Sequence, residues 1–99
     1  MKDPDIHIDL IRGSGPVVGR GTIDGMPFYF HARWDGWSFS LALHPDVDPQ
    51  GITMSSERAF YVEGDYGQPE GYDASYMPEE EAEAIIRNCI KIFLEQQGR

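Results

Sequence analysis

Three histidines, His7, His31 and His44, and a single cysteine, Cys89, are the side chains of this chain best suited to chemistry. His31 lies in the run PFYFHARWDGWSFSLAL, residues 27–43, where a turn at Asp35-Gly36 sets it opposite Ser40 across a hairpin. A Ser-His pair suits acyl transfer, with the imidazole taking the hydroxyl proton. Nucleophilic serines, however, sit on strained turns beside an oxyanion hole, and Ser40 falls in mid-strand, so the pair reads as part of a polar sheet face. His44, Asp46 and Asp48 share the proline-bounded loop HPDVDPQG and are all metal-ligand types. Three such ligands in a proline-bounded loop fall well short of a calcium loop, and the segment reads as solvated. The run GSGPVVGRG has the glycine density of a phosphate-cradling loop, yet such loops open a helix and here a β-branched segment follows. Cys89 falls within an apolar helical stripe, where a cysteine serves as a small buried hydrophobe rather than as a nucleophile. The expectation is a chain with no catalytic, cofactor or metal site.

The elements that carry these groups follow from hydrophobic period and turn chemistry. DIHIDLIR, residues 5–12, alternates Ile6, Ile8 and Leu10 against His7, Asp9 and Ile11, a strand pattern. VVGRGTID leads into Asp24-Gly25, a pair that supplies the positive φ angles of a two-residue hairpin turn. That turn sets Ile23 opposite Met26, Gly21 opposite Phe28, Gly19 opposite Phe30 and Val17 opposite Ala32. A strand glycine leaves a gap that a facing aromatic covers, so the glycines and phenylalanines explain one another. With Asp35-Gly36 as the second loop, Trp34 faces Trp37, Ala32 faces Phe39, Phe30 faces Leu41 and Phe28 faces Leu43. Both registers put Phe28, Phe30 and Ala32 on one core face and leave Arg20, Thr22, Tyr29, His31, Arg33, Ser38 and Ser40 on the reverse. RAFYVE, residues 58–63, is a further short strand with Phe60 and Val62 on one side.

From Gly64 to Tyr76 the chain reads GDYGQPEGYDASY, a long loop of glycines, acids and tyrosines of the kind that a rigid scaffold presents for binding. A helix then runs from Pro78, at its first position, to about Gln97, with Gly98 ending it. Glu79, Glu80 and Glu81 place negative charge at the positive end of its dipole. Ala82, Ile85, Ile86, Cys89, Ile92 and Phe93 form its apolar stripe, which is expected to dock on Phe28, Phe30, Phe39 and Leu41.

Composition narrows the function classes. The chain has 99 residues, 40% hydrophobic and 25% charged, enough for one domain with one core. One cysteine permits no internal disulfide, MKDPDIHIDLIR lacks the apolar centre of a signal peptide, and no stretch approaches the length of a membrane span, so a cytoplasmic protein is expected. The net charge is −9, and between Asp46 and Glu83 eleven acids stand against Arg58 alone. Direct nucleic-acid binding needs a basic footprint, so the charge excludes it and points to a basic protein or nucleoprotein partner.

The blocks PFYFHARWDGWSFS, residues 27–40, and GYDASYMPEEEAEAII, residues 71–86, resemble short uncharacterised proteins of proteobacteria, their phages and mobile elements. The resemblance implies a strand-rich domain with a C-terminal helix and carries no catalytic motif. In general character the chain is also similar to small acidic phage-encoded inhibitors such as anti-CRISPR proteins, which share no common motif, so no residue role transfers.

The fold expected for residues 1–99 is a single α+β domain, an antiparallel meander of four or five strands with one C-terminal helix packed on one face. The function expected is non-enzymatic binding to a basic protein surface, in one form by mimicry of nucleic acid. The binding residues are Glu63, Asp65, Tyr66, Glu70, Tyr72, Asp73, Tyr76, Glu79, Glu80, Glu81 and Glu83. Two alternatives stand beside it: a small-ligand site or enzyme on the reverse sheet face around His31, Arg33, Tyr29 and Ser40, and a homodimer or larger homo-oligomer that buries that face.

Overall fold

Asp24 and Gly25, at φ 50° and 84°, both occupy the left-handed region, and they close the turn that fixes the first half of the sheet. The structure, a computed structural model, describes residues 4–11, 17–67, 71 and 73–97. Strands β1 (Ile6–Ile11), β2 (Val17–Ile23), β3 (Met26–Arg33), β4 (Gly36–Ala42) and β5 (Ala59–Asp65) pair in sequence order as one open antiparallel sheet. Helix α1 (Glu79–Gln96) packs across one face, giving the α+β architecture that the alternating strands and the helical stripe predict. Across β2 and β3 the register is the expected one, with Gly21 opposite Phe28 and Gly19 opposite Phe30. A Cβ on Gly21 would run into the His7 carbonyl and the Phe28 ring, so this glycine is required by the close approach of β1 and of that ring.

The second hairpin differs from expectation by two residues. Its loop is Trp34-Asp35, so Ala32 faces Trp37, Phe30 faces Phe39, Phe28 faces Leu41 and His31 faces Ser38. Trp34 takes φ 59°, a strained value for a bulky residue, because the chain from much later in the sequence holds it there. Its N–H donates to Ser75 Oγ at 2.8 Å and its carbonyl accepts from the Ala74 N–H at 2.7 Å. Gly36 is left to pair with Asp65 of β5, where a Cβ would press on the Gly64 carbonyl at 3.2 Å. A slip of two keeps every side chain on its face, so the core assignment survives, while Trp34 moves from the core face to an exposed turn.

The core is a row of edge-to-face and tilted rings, Phe28 to Phe39 at 5.2 Å, Phe39 to Phe60 at 6.2 Å and Phe60 to Phe93 at 5.3 Å between centroids. Each buried phenylalanine of this kind contributes about 1.5–3 kcal/mol of transfer free energy. α1 buries Ala82, Ile86, Cys89, Ile90 and Phe93, with Ile85 and Ile92 half-buried at the margins of the stripe. Ile90 therefore joins the stripe read from the sequence. Pro78 precedes the helix as its N-cap residue, one position earlier than expected, and its carbonyl accepts from the N–H groups of Glu81 and Ala82. Gly98 lies outside the described residues.

The long loop expected from Gly64 to Tyr76 is shorter, because β5 continues to Asp65 and a 3₁₀ turn occupies Asp73–Tyr76. That turn is anchored by the fully buried Ala74 and Met77, which extend the core to the end of the sheet marked by Trp34. A second 3₁₀ turn, Pro49–Gly51, folds over the reverse sheet face, with Asp48 as its N-cap accepting from the Gln50 N–H.

Candidate functional site

Strand alternation sorts the candidate residues of β5 onto opposite sides. Phe60 and Val62 point into the core, whereas Tyr61, Glu63 and Asp65 point to the reverse face, where Glu63 and Asp65 are exposed. Tyr66 turns back toward the helix side and donates its hydroxyl hydrogen to Glu81 Oε2 at 2.6 Å. Glu79, Glu80 and Glu81 are exposed in the first turn of α1, and Tyr76 beside them is 78% exposed. Glu83 is half-buried and paired with Arg87 Nε at 2.9 Å, so part of its charge is neutralised within the helix. Asp73 opens the 3₁₀ turn; Glu70 and Tyr72 lie outside the described residues.

Those of the eleven residues named from the sequence whose side chains are described thus do not form one continuous face. The described ones gather at one end of a molecule 40 × 24 × 22 Å in extent, some on the sheet side and some on the helix side. The join is made by backbone and side-chain bonds around Trp34 and Asp35: the Tyr66 N–H donates to the Asp35 carbonyl at 2.8 Å, and Ala74 and Ser75 hold Trp34.

The sheet side of this end is concave. An open depression of about 680 Å³ is lined by His31, Arg33, Trp34, Ser38, Tyr61 and Glu63, with Asp35 and Asp65 at its end. Trp34 is 53% exposed, and the Arg33 guanidinium lies 4.4 Å from its ring centroid, a cation–π contact. The Tyr61 hydroxyl donates to Glu63 Oε2 at 3.1 Å. Burial first, then this bond and the Glu63 charge, raise the Tyr61 pKa above that of a free phenol. Burial and then the nearby Arg33 charge lower the His31 pKa below 6.5, so the imidazole is neutral at pH 7 and can accept a proton.

The expected neighbours of His31 on this face change with the register. Ser38, not Ser40, is opposite His31, and Ser40 is opposite Tyr29. Ser40 is buried beneath the Pro49–Gly51 turn and donates to the Pro49 carbonyl at 2.7 Å, which removes it from any pairing with His31. Tyr29 stacks on His31 with centroids 6.1 Å apart, while Arg20, over the Tyr29 ring at 5.2 Å, also donates to Gln50 Oε1. The loop 43–58 therefore roofs the half of the face around Ser40 and leaves the half around His31 open.

His44 and Asp48, suggested as cation ligands by type, are engaged otherwise: Arg58 approaches His44 Nδ1 at 3.0 Å and Asp48 caps its 3₁₀ turn. Among the described residues no three histidine, cysteine or acidic side chains converge to hold a metal ion. Trp34 and Asp35 are the site-lining residues that turn logic assigns to structure alone. The sequence offers one signal for them, a cation, an aromatic and an acid in succession at a loop, Arg33-Trp34-Asp35.

No protein-family model, curated protein or solved structure matches this chain.

Proposed function

We propose that this chain is a non-enzymatic, cytoplasmic binding protein whose acidic end engages a basic site on another protein or nucleoprotein. The observation that carries the reading is the tie between Tyr66 and Glu81, 2.6 Å long, which holds the exit of β5 against the start of α1. It ties the first turn of α1, where Glu79, Glu80 and Glu81 are exposed beside Tyr76, to the residue that follows Asp65 of β5 and bonds the Asp35 carbonyl. Ordered carboxylates beside exposed aromatic area suit a basic partner, because they give complementary charge without the cost of ordering a loop on binding. Mimicry of nucleic acid is one form of this reading, with spaced carboxylates taking the places of phosphates.

The test is capture of partners from lysate by the chain and by a variant with Glu79, Glu80 and Glu81 each changed to Lys. A protein captured by the first and lost by the second supports the reading, and its binding should weaken steeply as salt is raised. An unchanged set of partners removes the helix start from the surface.

A second reading rests on the concave reverse face. The depression of about 680 Å³ around His31 is large enough for a small molecule, and its donors and acceptors suit a polar one. A thermal-shift screen of polar metabolites against the chain and Trp34→Ala tests it. Stabilisation lost in the variant supports the site, and no stabilisation by any compound counts against it.

A further inference from the structure

An open sheet has two edges, and in this protein they are treated differently. In a two-residue hairpin the pair flanking the loop is hydrogen-bonded and pairs alternate from there, so Arg33↔Gly36 and Ile23↔Met26 set the direction of every backbone group. On β5 the residues facing outward are Ala59, Tyr61, Glu63 and Asp65. Ala59 is bridged to Ser56 by backbone hydrogen bonds, and Ser55 Oγ accepts from the Tyr61 N–H at 2.9 Å and donates to its carbonyl at 3.2 Å. The remaining stretch carries the charges of Glu63 and Asp65, the usual guard against pairing with another chain.

On β1 the outward groups belong to Ile6, Ile8 and Leu10. No described residue hydrogen-bonds the outward N–H and C=O groups of Ile6 and Ile8. Beside this edge, between β1 and α1, lies an apolar cleft of about 320 Å³ lined by Ile6, Ile90 and Leu94 and rimmed by Arg87, Lys91 and Glu95. An edge that joins free backbone groups to an apolar cleft is a template for an added strand.

The sequence of β1 identifies the strand that fits. Two copies of IHIDLI set antiparallel about Ile8 place Ile8 opposite Ile8 and Ile6 opposite Leu10. They also place His7 of each copy opposite Asp9 of the other. Ile8 is an outward residue, so the Ile8–Ile8 pair is a hydrogen-bonded one and the ladder continues in register. Ile6 and Ile8 of both copies then share the helix side, and each cleft at Ile6 lies beside the partner's strand. On the reverse side His7, already 3.1 Å from Asp5 just before its own strand, gains a second carboxylate. We propose that the chain forms a twofold dimer by β1–β1 pairing, extending its five strands into one continuous sheet of ten with both helices on one side. This interface is distinct from the acidic end, which lies at the opposite end of β1 from Ile6 and stays exposed in the dimer.

The test is sedimentation equilibrium over a wide concentration range, joined to amide hydrogen exchange. The dimer is expected, with the Ile6 and Ile8 amides exchanging more slowly as concentration rises. Ile8→Pro removes only a donor that faces away from β2, so the fold should persist by circular dichroism while the dimer is lost. His7→Asp sets like charges opposite each other twice and should raise the dissociation constant about tenfold, and His7→Asp with Asp9→His should restore it. A chain that is monomeric at every concentration overturns the proposal, as does a dimer that His7→Asp does not weaken or that leaves the Ile8 amide in fast exchange.

Discussion

Tyr66 reaches across from the exit of β5 to donate its hydroxyl hydrogen to Glu81 Oε2 at 2.6 Å, in the first turn of α1. The bond crosses the boundary between the two layers of the fold, from the last strand to the helix that covers the core. Fifteen residues separate the pair, and the chain between them includes the 3₁₀ turn whose Ala74 and Ser75 grip the backbone of Trp34.

Tyr66→Phe keeps the ring and removes this bond. A hydrogen bond to a charged acceptor contributes about 1.5–3 kcal/mol, and an exposed one belongs at or below the lower limit. A loss of about 1 kcal/mol in urea unfolding is expected. The sharper readout is local: the amides of Ala74 and Met77 should exchange faster than those of Phe30 and Phe39, which sit in the middle of the sheet. Equal changes at all four would show that the bond supports the whole fold rather than the join.

Glycines that touch something should not tolerate a side chain. A Cβ on Gly21 would collide with the His7 carbonyl and the Phe28 ring, and one on Gly64 would lie 2.6 Å from the Trp37 indole. Gly21→Ala and Gly64→Ala should each destabilise by about 1–3 kcal/mol, the usual range for overpacking, and Gly21→Ala the more because backbone cannot yield as a ring can. Gly51→Ala, with open space around it, should be neutral or slightly stabilising. Thermal denaturation of the three variants in parallel checks the order.

The contrast between the two hairpins shows what the sequence could and could not disclose. Asp24-Gly25 is a turn decided by its own two residues, so the β2–β3 register was legible from local chemistry. Asp35-Gly36 carries the same signal, but there the backbone of Trp34 is held by residues 74 and 75, and Gly36 is needed for contact with β5. Local turn preference lost to tertiary contacts, and a slip of two leaves the alternation of apolar residues unchanged, so no pattern could reveal it. The same limit governs the site. Acidic residues could be named one by one, yet whether Glu63 and Glu81 share a face depends on where β5 stops, and β5 runs two residues past the point its composition suggests.

His31 should make the fold sensitive to mild acid. Burial and Arg33 lower its pKa below 6.5, so the folded chain binds a proton less readily than the unfolded chain. Its contribution to stability is therefore present above pH 6.5 and is lost as pH falls through that value and then through the lower folded one. Arg33→Gln removes the second cause of the shift and should move the imidazole titration upward toward 6.5 without reaching it, because burial remains. NMR titration of the ring protons in both proteins checks this; an unchanged midpoint would show that Arg33 does not act on His31 in solution.

Cys89 should behave in the opposite pH range. It is 1% exposed within the buried stripe of α1, and burial pushes its thiol up to about 12. At pH 8 the native thiol is therefore both inaccessible and protonated, and iodoacetamide should label it only as fast as the fold opens. The unfolded chain ionises this group near 9.0, well before the folded chain does. Stability contributed by the protonated thiol is thus complete below pH 9 and falls as pH rises from there toward 12. Cys89→Ala should flatten that alkaline loss while costing about 1 kcal/mol at neutral pH for the cavity it leaves. Urea unfolding at a series of pH values from neutral to alkaline, for the chain and for the variant, measures both effects at once. Parallel stability curves for the two proteins would show that another group governs the alkaline limb.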